Sequence, residues 1–302
     1  MILAAGLSPA WQQIVCLPTL QHGEVNRASA VHYCASGKVL NVGIALHHLG
    51  GESLTLSPVG GIPATAIQQE FAQLAAPCRW IHTAAPTRVC VTVLETSTGL
   101  STELVENAHP LTAAEIEQYI AAYLEEVPRA RAVVLTGSLP AGTPTNFYQR
   151  LLQSTPVPAV LDIRGPELLA ALACKPLVVK PNREELGHTF GRPITTDADL
   201  HSALSELHRR GAQWAVVSQG GGPVCLSSAD QILHFHPPRI SLVNAIGSGD
   251  CLAAGLAHSL TLGHDLPTSL RFALSCASHN ATQLLPARLH LPSIQQLVEQ
   301  VK

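Results

Sequence analysis

The sequence predicts an α/β protein, a doubly wound and mainly parallel sheet flanked by helices with a small β lid. Three observations carry that expectation. From residue 130 onward, short apolar runs at Ala132–Leu135, Ala159–Asp162 and Leu177–Lys180 alternate with stretches of helical period. Runs of that kind suit strands covered by helices on both faces. Two strand-rich patches, about residues 9–35 and 86–107, break the rhythm and read as a separate small sheet over one end of the main one. Third, 302 residues with 46% hydrophobic and only 4% aromatic content suffice for one large aliphatic core. No linker, internal repeat or low-complexity run divides them, so residues 1–302 are expected to form a single domain with the lid strands appended.

Composition excludes several classes. Lys plus Arg number 18 against 21 Asp plus Glu, a net charge of −3, so there is no polyanion footprint and no nucleic-acid partner is expected. No apolar run approaches the roughly 18 residues of a spanning helix. The opening Met1–Gly6 lacks the basic flank and length of a signal peptide and reads as a buried first strand. Eight cysteines occur without a Cys-x-x-Cys pair, which removes zinc-site and redox spacing and leaves buried free thiols in a reducing cytoplasm.

Along the chain, Gly6–Pro9 turns, Ile14–Leu17 is strand-like and Gln21–Glu24 is a polar turn. From Asn41 the period becomes helical through Val42, Ala45, Leu46 and Leu49, with Gly50-Gly51 as the stop. A helix is expected over 65–75, and strand character returns from Arg88 to Val105 with a turn at Ser97–Gly99. Thr112-x-x-Glu115 reads as a capping box opening a helix through Val127. Helices are expected at 146–153, 167–173 and 197–210, with a strand at 214–218 and a hairpin of 224–227 with 231–235. The last third reads as helices over 251–260, 269–285 and 293–301.

The richest segment is Asn244-Ala245-Ile246-Gly247-Ser248-Gly249-Asp250 before an apolar helix. Glycines there let the backbone bend and bare its N–H groups, and a helix start adds a dipole that favours anionic oxygens. An acid at the same place suits phosphoryl transfer, with amides holding charge while Asp250 takes a proton. The same pattern also serves a plain helix start with Asp250 as an N-terminal acid. A second segment, Lys180-Pro181-Asn182-Arg183-Glu184-Glu185, follows an apolar strand, where open α/β sheets bind ligands. Its amide and carboxylate suit a hydrated Mg²⁺, and equally suit an ordinary N-cap. Lys38, in Ser36-Gly37-Lys38-Val39-Leu40-Asn41, and Arg88 can meet a substrate phosphate or simply face solvent. Gly220-Gly221-Gly222 offers close approach to a nucleotide base or a plain turn. Cys251 reads as a packing residue, and His234 and His236 lack a third ligand.

These segments, together with Gly23–Arg27, Thr87-Arg88 and Gly137-Ser138-Leu139-Pro140-x-Gly142, resemble in order the ribokinase-like (PfkB-type) carbohydrate kinases over essentially the whole chain. The phosphofructokinase and tagatose-6-phosphate kinase branch is the most similar. The resemblance implies a ribokinase-like fold and transfer of the γ-phosphate of ATP, with Mg²⁺, to a sugar hydroxyl. It implies Asp250 as general base and the amides of Gly247, Ser248, Gly249 and Asp250 as an anion hole. Asn182 and Glu185 would organise the metal, and Lys180, Asn182, Ser218, Gly220 and Asn280 the nucleotide. Gln12, Gly37, Lys38, Asn41, Arg88 and Ser138 would face a sugar phosphate of the fructose 6-phosphate, fructose 1-phosphate or tagatose 6-phosphate type. A homodimer through the lid is implied as well. The chain departs from the family in carrying Gln12 where an Asp is usual, Ser36 and Val39 where glycines are usual, and Arg164 where this branch tends to have a small hydroxyl residue. Those departures bear on the acceptor and leave two other readings open: a kinase of an unphosphorylated sugar or nucleoside, and a catalytically silent sugar-phosphate-binding protein.

Overall fold

The computed structural model describes residues 1–302. In chain order the strands are β1 (Ile2–Ala5), β2 (Ala10–Leu17), β3 (Ala30–Ser36), β4 (Ser53–Gly60), β5 (Cys78–Thr83), β6 (Arg88–Glu95) and β7 (Ser101–Leu104). They continue as β8 (Ala132–Thr136), β9 (Ala159–Asp162), β10 (Val178–Val179), β11 (Trp214–Val217), β12 (Val224–Ser227) and β13 (Ile232–Phe235). The helices are α1 (Lys38–His48), α2 (Gly61–Leu74), α3 (Ala113–Glu126), α4 (Phe147–Gln153) and α5 (Gly165–Ala171). They end with α6 (Arg183–Phe190), α7 (Asp197–Arg210), α8 (Ser248–Thr261), α9 (Leu266–Ala281) and α10 (Leu291–Val298).

Nine strands form one sheet in the order β13-β12-β11-β10-β9-β8-β1-β4-β5, parallel from β11 to β5 with an antiparallel hairpin at the other edge. Residues of successive parity feed opposite cores, as the two-residue period of a strand demands. Ile2, Ala4, Ala132 and Val134 join α1, α8 and α9 on one face. Leu3, Ala5, Val133 and Leu135 join α3, α4 and α7 on the other. No helix is long and apolar enough to cross a membrane.

The second sheet runs β3-β2-β6-β7, with β2 and β6 parallel. It leaves the main sheet directly after β1 and returns through Gly37, whose φ of 84° is a left-handed value, into α1. A Cβ at Gly37 would lie 2.7 Å from the Ser8 carbonyl oxygen, so only glycine passes there without displacing the chain.

The structure corrects the sequence reading in several places. β4 and β5 were not anticipated. Pro58 masks β4, but Thr55 N–H turns toward β5, bonding Pro77 O at 3.0 Å. Three residues on, the Pro58 nitrogen therefore faces the β1 side, beyond the last pair Ala5–Leu56, where no ladder bond is lost. The turn expected at Ser97–Gly99 does divide the stretch Arg88–Val105, into β6 and β7. α1 begins at Lys38 rather than Asn41, α2 at Gly61 rather than 65, and α9 stops at Ala281 rather than 285. The capping box of Thr112 and Glu115 forms as expected.

Candidate active site

Parallel strands β1, β8, β9, β10 and β11 all end on one side of the sheet, and a cavity of about 980 Å³ opens there beneath the lid. Backbone ends of open α/β sheets are where side chains and free amides converge on a ligand. Fourteen of the sequence-predicted residues line it: Gln12, Gly37, Lys38, Asn41 and Arg88 toward the lid; Lys180, Asn182, Glu185, Ser218 and Gly220 along the strand ends; Gly247, Ser248, Gly249 and Asp250 at the helix.

At that helix, Gly247 caps α8 with φ 79°, a left-handed conformation that suits glycine. A Cβ there would also lie 2.9 Å from Cβ of Pro286. Ser248 N–H is taken by Ala245 O at 3.2 Å, whereas the N–H groups of Gly249 and Asp250 have no partner in the chain. Of the four amides expected to form an anion hole, that of Ser248 is thus already engaged. Free amides at the start of a 14-residue helix are an anion site by their orientation and dipole.

Asp250 is buried, and Oδ2 accepts a hydrogen bond from Asn41 Nδ2 at 2.7 Å. Burial, then the charge of Asp162, push its pKa up to about 6, against Lys38, the Asn41 bond and Lys180. That value lies near neutrality, where a general base is most effective.

Opposite lies an ionic cluster that the sequence did not reveal. Asp162, only 1% exposed, ends β9 and meets Lys38 Nζ at 3.0 Å and Lys180 Nζ at 3.1 Å. Burial opposes its ionisation, but the two ammonium groups more than offset this and hold it below the usual carboxylate range. Lys38 also meets Glu185 at 3.1 Å. Its burial is outweighed by Asp162, Glu185 and Asp250, which hold its pKa above the usual lysine range. The signal for Asp162 was present as an acid closing an apolar strand, but its two partners are 124 and 18 positions away in sequence. Glu185 additionally closes a capping box: Asn182 N–H donates to Oε2 at 3.0 Å and Glu185 N–H donates to Asn182 Oδ1 at 2.7 Å.

Other expected residues are placed differently. Asn280 is fully buried and its amide is spent within the fold. Nδ2 donates to Ile246 O at 2.8 Å and to Ser248 Oγ at 3.0 Å, while Oδ1 accepts Ala287 N–H at 2.6 Å. It clamps the glycine bend from behind instead of lining the cavity. Ser138 is exposed beside Ser8, with the two hydroxyls 3.3 Å apart, and lies outside the lining. Arg88 lines the cavity, but its guanidinium donates to the carbonyls of Ser8, Pro9 and Glu106 at 3.1–3.3 Å. Gln12 Nε2 donates to Thr92 Oγ1 at 2.7 Å within the lid. Arg164 is exposed at the start of α5, outside the cavity lining.

A profile described as pfkB family carbohydrate kinase matches residues 13–291. Among solved structures, the chain is similar to phosphofructokinase-2 from Escherichia coli in complex with substrates and products, at 25% identity and a TM-score of 0.88, covering 99% of this chain and 97% of that one. It is similar to a Staphylococcus aureus protein provisionally described as a phosphofructokinase, at 26% identity and TM-score 0.78, covering 100% and 98%. In fold it also matches an Arabidopsis thaliana ribokinase complexed with ribose and ATP, at 20% identity and TM-score 0.76, covering 99% and 98%.

Proposed function

Because the chain belongs to the pfkB family of carbohydrate kinases, and is thereby an ATP-dependent sugar kinase, we propose that its acceptor is a hexose phosphate of the fructose 6-phosphate, fructose 1-phosphate or tagatose 6-phosphate type, with Asp250 as general base. The observation that carries this reading is the buried Asp250 carboxylate beside the unpartnered N–H groups of Gly249 and Asp250. An acid with a pKa near 6 can take the proton of the attacking hydroxyl, while the amides face the negative charge on the group transferred. The phosphofructokinase descriptions of the bacterial relatives, and the Lys38 and Arg88 cations on the lid side, support a phosphorylated acceptor.

Asn182 and Glu185 bring amide and carboxylate oxygens, hard donors, to the cavity, but no three His, Cys, Asp or Glu side chains are arranged so as to hold a metal ion by themselves. That donor set fits Mg²⁺ held largely through waters and triphosphate oxygens rather than by a protein cage. When bound, the ion would supply charge neutralisation on the triphosphate. Ser218 and Gly220, with the loop Pro237-Pro238-Arg239-Ile240, would flank the nucleotide. On the outer face of the lid, Val31, Tyr33, Val89 and Leu104 are exposed apolar side chains, which supports a homodimer formed through the lid. Eight free thiols accord with a cytoplasmic enzyme.

A second reading, a kinase of an unphosphorylated sugar or nucleoside, is favoured by one observation. Lys38 and Arg88, the cations meant for a substrate phosphate, are already engaged, the first by Asp162 and Glu185 and the second by three carbonyls. ADP release measured with fructose 6-phosphate, fructose 1-phosphate, tagatose 6-phosphate, fructose, ribose and adenosine separates the two. Turnover confined to the unphosphorylated compounds would refute the phosphorylated acceptor. Tight hexose-phosphate binding without ADP release from any of them would make the protein a silent binder.

A further inference from the structure

We propose that Glu70 and Arg288 are positioning residues: their ion pair holds one wall of the cavity, where β3 runs into α1, against residues 284–288, which back the glycine bend at Gly247. The proposal rests on the reading of that bend as the anion hole.

One arm of the pair reaches the lid. β3 is an edge strand, so the N–H groups on its outer side have no partner strand. Ala35 carries one of them, and Glu70 Oε2, on α2, accepts it at 2.5 Å. Ser36, Gly37 and Lys38 follow directly and line the cavity, and Lys38 is the ammonium that meets Asp162 and Glu185.

The other arm reaches the bend. Glu70 Oε1 accepts from the Arg288 guanidinium, which also donates to Pro286 O at 3.1 Å. Pro286 packs behind Gly247, so closely that a Cβ on the glycine would lie 2.9 Å from its own. Ala287 N–H goes to Asn280 Oδ1, and Asn280 Nδ2 in turn holds Ile246 O and Ser248 Oγ. Leu284 O accepts Asn244 Nδ2 at 2.8 Å. Toward the lid, Leu284 and Leu285 pack on Ile14, Cys34 and Leu94, the small core of that sheet. Residues 284–288 therefore touch the bend on one side and the lid on the other.

Apolar contact holds two surfaces together without fixing their register, because it has no direction. A carboxylate bonded through one oxygen to the β3 backbone and through the other to a guanidinium does fix it. Both side chains are 18% exposed, so solvent screens the pair and limits what it adds to stability. Neither residue lines the cavity, so any effect on the reaction passes through the walls they hold.

The test compares hydrogen–deuterium exchange in the full-length wild type and Arg288→Met, read by mass spectrometry over residues 30–38 and 243–251. The second stretch contains the bonded N–H groups of Asn244, Ile246, Ser248 and Cys251. Both stretches are expected to exchange about tenfold faster in the variant, while β8 and β9 keep their wild-type rates. Acceleration confined to 30–38, or spread evenly through β8 and β9, overturns the proposal. Arg288→Lys, which keeps a cation, should recover part of the protection. Should Arg288→Met not fold, Glu70→Gln, which keeps the acceptor for Ala35 and loses the charge, decides in its place. ADP release with fructose 6-phosphate as the probe should show kcat lowered about tenfold in Arg288→Met and partly restored in Arg288→Lys. Wild-type kcat and KM in Arg288→Met would overturn the positioning role, since a purely structural pair leaves the constants of the folded enzyme unchanged. A wild-type protein that releases no ADP with any hexose phosphate would instead defeat the proposed acceptor, and the exchange comparison then decides on the pair by itself.

Discussion

Replacing Asp250 by asparagine is expected to yield a protein that is more stable and inactive. The carboxyl is 6% exposed, and its pKa rises from 3.8 to about 6 on folding, through burial first and the Asp162 charge second. A folded-state value above the unfolded one means that the folded chain holds the proton more tightly. Stability is then undiminished below about pH 4, declines as the pH climbs through 6 and stays lower beyond it. A rise of about two pH units at about 1.4 kcal/mol each costs about 3 kcal/mol at neutral pH. Asparagine keeps the shape and can still accept from Asn41, but never ionises. Urea unfolding followed by far-UV circular dichroism should find Asp250→Asn about 3 kcal/mol more stable than wild type at pH 8 and equal to it at pH 4. ADP release should fall by a factor of at least about 10², the lower bound for a positioned base. Equal stability at pH 8, or a gain that persists at pH 4, would refute a buried carboxylate held ionised against its surroundings.

Asp162→Ala should destabilise strongly, because Lys180, 4% exposed, has no other ionic partner; an uncompensated buried charge costs about 3–5 kcal/mol. The double variant with Lys180→Met should recover part of that loss in urea titrations, and a single-variant loss below about 1 kcal/mol would contradict the partnership. In the wild type this contribution is present above the unfolded carboxyl pKa and disappears as pH falls through the lower folded value. Gly247→Ala forces a left-handed φ of 79° on alanine and drives its Cβ to 2.9 Å from Pro286. It should cost about 1–3 kcal/mol and displace the free amides, lowering kcat more than it changes the acceptor KM; unchanged kcat would exclude those amides from the reaction.

What could be read from the sequence tracks how local the determining physics is. The capping boxes at Thr112–Glu115 and Asn182–Glu185 span one turn each, and both appear where the pattern puts them. Strands β8 and β9 announce themselves as short apolar runs because both their faces are covered. β4 hides behind Pro58, whose acceptability depends on where β1 ends, a fact of pairing and not of local sequence. The site divides the same way. Asp250 stands out through the glycine bend next to it, whereas the Asp162–Lys38 contact joins positions 124 apart. The Glu70–Arg288 pair, with Glu70 also accepting Ala35 N–H at 2.5 Å where β3 leads into the cavity, joins positions 218 apart and carries no motif at all. Asn280 was placed by family likeness on the nucleotide, but its amide can satisfy only so many partners, and the bend behind Gly247 takes them.

Of the acids lining this cavity, Asp162 and Asp250 are the most buried, and their surroundings drive them apart. Asp162 lies between two ammonium groups that stabilise its charge, which makes it a poor proton acceptor at neutral pH. Asp250 has the Asp162 charge nearby and one neutral donor on a single oxygen, and is held near pH 6. Opposed environments of this kind separate a structural carboxylate from a reactive one. Removing Asp162 therefore has a second consequence besides unpairing Lys180. It deletes a like charge and releases both lysines toward Asp250, and both changes lower the Asp250 pKa. Asp162 and Asn41 then act on Asp250 in opposite directions, the acid weakening its ionisation and the amide supporting it, so the pH at which Asp250 ionises is set by a balance between β9 and α1.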